Sequence, residues 1–138
     1  MFLQEDDYKV QIRDMELDEL TGYSEALRLE SEQRAQEEME SYLRDRFDVA
    51  VIFEATGDDR SKLVVVYMID IALYHLFAAI APRNVPQIRV DRYDAAISWL
   101  MKVADGRLNP GLPPVEDADG NTPGTSMWGG MDMDGINW

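Results

Sequence analysis

The chain has 138 residues, no cysteine, one histidine and 27 acids against 13 bases, for a formal charge of -14. That length is one domain with at most an appendage; the missing cysteines exclude disulfides and thiolate metal sites and suit a reducing cytoplasm. The charge excludes a strong nucleic-acid grip, because an acidic surface repels phosphates.

Met1 to Asp7 hold no basic stretch followed by an apolar one, so no secretory signal is expected. Residues 5 to 20 read as a short helix, with Tyr8, Ile12 and Met15 at i, i+4 and i+7, ended by Thr21-Gly22. Ser24 is the expected N-cap of a long helix reaching about Arg46, whose apolar stripe is Leu27, Ala35, Met39, Leu43 and Phe47, with Tyr42 beside it. Ser31 falls on that stripe, so the N-terminal half of this helix is weakly apolar and is expected to project or to pack on another subunit. Asp48 is placed to cap a short segment from Val49 to Ala55, and Thr56-Gly57-Asp58-Asp59 reads as a turn leading into a helix N-cap.

Leu63 to Ile80 is apolar almost throughout. Its β-branched start has strand propensity, but the run continues to Ala79 without a turn signal, longer than strands usually are. A helix at the centre of a bundle is the expectation. Asp70 and His75 interrupt the run and disfavour a membrane span. Pro82 and Pro86 bracket a turn; Asp91 is the expected N-cap of the last helix, Tyr93, Ala96, Ile97, Leu100 and Ala104 its stripe, and Gly106 its C′ residue. The fold class is therefore all-α: a small helical bundle around a central apolar helix, residues 1–107, followed by an extended Gly/Pro-rich acidic arm, residues 108–138.

Charge follows the same division. Residues 1–40 carry thirteen acids and four bases, residues 41–107 nine of each, and residues 108–138 five acids and no base. The arm also holds six of the nine glycines and four of the six prolines, so it builds no core of its own. Yet Trp128, Met131, Met133, Ile136 and Trp138 crowd into its last stretch, with Met127 just before. Trp and Met at that density mark a segment that docks on a partner.

The residues offer little for catalysis. His75 is alone, so neither a His-based metal site nor a Ser-His-Asp triad can be assembled without it, and no Gly-x-Ser-x-Gly elbow or glycine-rich phosphate loop is present. Asp58-Asp59 reads as helix capping rather than a carboxylate pair. The arm's Asp117-Ala118-Asp119 and Asp132-Met133-Asp134 lack the Glu that completes a calcium loop. Asp70 needs a partner if it is buried, and Arg44, Arg46, Arg89 and Arg92 are the candidates for a structural ion pair. No catalytic, cofactor or metal residue is expected.

Five stretches carry a resemblance: Tyr42-Leu43-Arg44-Asp45-Arg46-Phe47-Asp48, Ala55-Thr56-Gly57-Asp58-Asp59-Arg60, Asp70-Ile71-Ala72-Leu73-Tyr74-His75-Leu76, Ala81-Pro82-Arg83-Asn84-Val85-Pro86 and Leu108-Asn109-Pro110. In this order they resemble the small head–tail adaptor proteins of Mu-like phages and prophages, over about residues 1–115. That family is similar in turn to the helical connectors of other long-tailed phages. The resemblance implies a non-enzymatic virion protein at the neck, a dodecameric ring beneath the portal that extends the DNA channel and meets a neck or tail-completion protein. The implied partners are other copies of the chain, the portal and that next component, with DNA passing unbound and no membrane involved. A closed ring needs two different faces per copy, expected from the helix after Ser24 and the last helix. The competing expectation is an acidic DNA mimic that inhibits a nucleic-acid-binding protein; the neutral middle of the chain disfavours it.

Overall fold

The computed structural model describes residues 2–12 and 25–115. Four α-helices, α1 (Glu25–Leu43), α2 (Val49–Glu54), α3 (Lys62–Ile80) and α4 (Gln87–Ala104), account for most of them, with 3-10 helices at Glu5–Val10 and Gly57–Asp59. No named strand occurs among the described residues, in keeping with the all-α expectation.

The apolar run becomes α3, and α3 is the hub: α1 and α4 both pack on it and touch one another. Val64, Met68, Ile69, Ile71, Ala72, Leu73 and Leu76 are buried there against Ala35, Met39 and Leu43 of α1 and Ala96, Trp99, Leu100 and Val103 of α4. α3 is long and apolar enough to cross a membrane by composition; in this fold those same side chains make the core. α3 and α4 form an antiparallel hairpin through the Pro82–Pro86 turn, marked by stacked rings at Tyr67–Trp99 (4.7 Å) and Tyr74–Tyr93 (4.2 Å).

Helix ends follow local chemistry, with three departures from expectation. Asp48 caps α2 as its spacing predicts, accepting from the Val51 N–H at 3.2 Å. Gly106 takes φ +80 just past α4, and the N–H groups of Gly106 and Arg107 bond back to Val103 and Lys102, a Schellman close. The cap of α3, however, is Ser61, which accepts from Val64 N–H at 3.4 Å; Asp58 and Asp59 lie in the preceding 3-10 turn, exposed. The last helix starts four residues before Asp91, with Pro86 at the N-cap position: the Pro86 carbonyl takes the first helical bonds from Arg89 and Val90. Asp91 sits inside the helix, accepting from Gln87 Nε2 at 2.9 Å. The long helix is regular only to Leu43, short of Arg46. Ser24, Met15, Thr21 and Gly22 lie outside the described residues.

The two flanks of the chain wrap the bundle. Phe2, Leu3, Tyr8 and Ile12 are buried in the core cluster, Phe2 edge-on to Phe53 at 5.2 Å. Tyr8 and Ile12 thus face inward as their spacing predicts, Tyr8 on a 3-10 rather than an α-helical segment and Ile12 two residues past its end. Beyond α4, Leu112 is buried and Leu108 half-buried, and the backbone pairs with the α1–α2 junction: Asp48 N–H to Pro113 O at 2.9 Å and Val115 N–H to Arg46 O at 3.0 Å. Residues 108–115, read from composition as the start of the arm, lie against the helical body.

Candidate functional site

The weakly apolar half of α1 does not project among the described residues; the N-terminal segment covers it. Glu32 and Arg28 are buried there with Tyr8. Glu32 Oε2 accepts from the Tyr8 hydroxyl at 2.6 Å and from Arg28 Nη1 at 2.9 Å, while Arg28 Nη2 bonds Glu25 at 2.8 Å. Burial pushes the Glu32 carboxyl above the usual range, and the Tyr8 bond and the Arg28 charge offset only part of that push. Burial and the Glu32 charge push the Tyr8 phenol far up, so it stays a donor. These residues close a polar gap in the core; Tyr8 was marked by its spacing, but Arg28 and Glu32 had no apolar signal by which a sequence reading could find them.

A second junction is made by Arg60. It forms two bonds to Asp7 (2.6 and 3.1 Å), one to the Phe2 carbonyl (2.8 Å) and one to the Gly57 carbonyl (2.9 Å). Burial raises the Asp7 carboxyl, but the Arg60 hydrogen bond, the Gln4 N–H and the Arg60 charge outweigh it and hold it below its ordinary value. One guanidinium thereby ties the N-terminal segment to the α2–α3 connection.

Asp70 is buried as expected. Its hydrogen-bond donor is Gln11 Nε2, at 2.9 Å. Burial pushes the carboxyl up to about 6, and the charges of Arg92 and Arg89 pull it part of the way back. Those two arginines also reach Gln11, Arg89 at its carbonyl (3.4 Å) and Arg92 at its side-chain oxygen (3.5 Å). Arg44 and Arg46 are used elsewhere, Arg44 on Glu40 at 3.8 Å and Arg46 on the Val103 carbonyl at 2.6 Å. His75 is half-buried, 2.9 Å from Glu38, which also accepts from the Tyr93 hydroxyl at 2.6 Å. Burial and then the Glu38 hydrogen bond raise the Tyr93 phenol, so it too remains a donor. This cluster ties α1 to α3 and α4.

What remains is surface. A groove of about 700 Å³ runs along α1, with Phe2, Leu29 and Met68 among its apolar walls and Glu30, Glu37 and Glu40 among its acids. Six large apolar residues are exposed: Leu29, Val51, Leu63, Ile80, Ile88 and Met101. No group of three or more His, Cys, Asp or Glu placed to hold a metal is found among the described residues. Trp128, Met131, Met133, Ile136 and Trp138, the expected partner-binding residues, lie outside the described residues.

No curated protein and no solved structure matches the chain. A family profile does, that of bacteriophage Mu Gp36, over residues 2–127. The match takes in the helical body and part of the arm, and stops just before the last run of tryptophans and methionines. With the match covering most of its length, this chain belongs to the bacteriophage Mu Gp36 family and is a Mu-like phage protein.

Proposed function

We propose that the chain is a structural head–tail adaptor, acting without catalysis: copies form a ring beneath the portal, continue its DNA channel and present a surface to the next neck or tail component. Membership of the Mu Gp36 family over residues 2–127 carries this reading. The polar groups between elements support it, since the buried Glu32 and Asp70 and the half-buried Glu38 each accept bonds that join one element to another, a structural use of their carboxylates. The excess of acids, 27 against 13 bases, suits a wall along which DNA slides without sticking. A helical body with exposed apolar residues on α1, α2, α3 and α4 suits a subunit that touches several neighbours.

Electron microscopy of the purified chain mixed with the portal of the same phage tests the reading. Rings seated on the portal are expected. A chain that stays monomeric and leaves the portal bare overturns it.

A further inference from the structure

The α1 groove contains an unmet demand. Glu32 lines it, and its side chain is 1% exposed. Oε2 receives the Tyr8 and Arg28 bonds, but Oε1 is buried and receives none. A buried carboxylate oxygen without a donor is costly. The groove's other charges are of the same sign, Glu30, Glu37 and Glu40, and no base lines it among the described residues. Its complement is a cation carried on an apolar mount. The C-terminal arm cannot supply one, because residues 108–138 contain no base.

The α3–α4 turn is such a mount. Pro82 and Pro86 stiffen it, and the Asn84 N–H closes onto the Ala81 carbonyl at 2.9 Å. Arg83 stands exposed at its tip and pairs with no acid among the described residues. Ile80 and Ile88 flank it, 41% and 51% exposed. A planar guanidinium is the cation that best matches a carboxylate. Exposed Lys62 and Lys102 also lie beside exposed apolar residues, but neither stands in a turn fixed by prolines. The turn does not serve its own groove: Met68 and Ala81 are separated by most of α3, about 20 Å along the axis.

We infer that the turn of one copy seats in the α1 groove of the next, with Ile80 and Ile88 against its apolar walls and Arg83 between Glu30 and Glu37, above the buried carboxylate of Glu32. Knob and groove are different surfaces of one chain, so the contact is heterologous, and repeated it closes into a ring. The inference rests on the adaptor reading and names the subunit contact that reading requires.

Charge reversal tests it, in the full chain assembled on its portal. Arg83→Glu is expected to reduce ring formation at least about tenfold while leaving helical circular dichroism and the melting temperature unchanged. Adding Glu37→Arg to that variant is expected to restore the ring, and Lys102→Glu to assemble normally. If Arg83→Glu assembles as the unaltered chain does, the contact is overturned and the ring stands. If Glu37→Arg gives no rescue, or Lys102→Glu fails as badly, the groove is not the seat of Arg83. An unaltered chain that forms no ring overturns the adaptor reading, and this contact with it.

Discussion

Asp70 sits in the most apolar helix of the chain, yet the residue that answers it, Gln11, is 59 positions away. An arginine partner was the natural expectation from sequence, and Arg89 and Arg92 do act on it through their charge, while the direct bond comes from a neutral amide. The compromise has a pH signature. The folded carboxyl titrates at about 6, against an ordinary 3.8. A raised value means the fold favours the protonated form: the contribution is fully present below about pH 4 and is lost as pH rises through 6. Asp70→Asn keeps an acceptor for Gln11 and removes the ionisation. Its stability relative to the unaltered chain should therefore climb between pH 4 and 7, by on the order of 2 kcal/mol, then level off. Glu32 is shifted in the same direction, but it is common to both proteins and cancels in the difference. Urea midpoints at four pH values measure it; a difference flat across that range would show that Asp70 ionises without cost.

Helix boundaries show which local rules were readable and which were overridden. Asp48 and Gly106 occupy the cap positions their residue types suggest, since nothing nearby competes for them. Before α3, Asp58 and Asp59 are the expected capping residues and Ser61, two positions after Asp59, is the observed one; on preference alone the acids are as good as the serine. The 3-10 turn at Gly57–Asp59 decides between them: Arg60 is held extended (φ -75, ψ 143) by its bonds to Gly57 and Asp7, so the helix can start only after it. Before α4 the proline wins over Asp91 because its fixed φ of -58 suits a helix entry and its carbonyl accepts the first bonds. The choice at α3 is measurable. Ser61→Ala should cost about 0.5 to 1 kcal/mol, whereas Asp59→Ala should stay within about 0.5 kcal/mol of zero. Thermal melts that rank the two the other way would return the cap to Asp59.

For the molecule as a whole, the central apolar helix was legible because an uninterrupted run of that length has few other uses. The wrapping of the bundle by residues 2–12 and 108–115 was not. Its carriers are polar or isolated residues, Glu32, Arg60 and Gln11, whose partners are far off in sequence, and no periodicity marks them. The same blindness affects the edge of the body. A composition shift at Arg107 looks like a domain boundary, but Leu108 and Leu112 pack on the core and Val115 bonds to Arg46. Two truncations separate body from arm. Removing residues 116–138 leaves every contact described above in place, so helical circular dichroism should be retained. Removing 108–138 strips a buried Leu112, exposes the surface beneath it and deletes the pairing with residues 46–48. Loss of one buried leucine contact alone costs about 2 to 5 kcal/mol, a large share of a small domain's stability. If the arm's tryptophans and methionines dock on a partner, the shorter deletion should keep the fold and lose portal binding. Portal binding that survives it would assign docking to the helical body and leave the arm without that role.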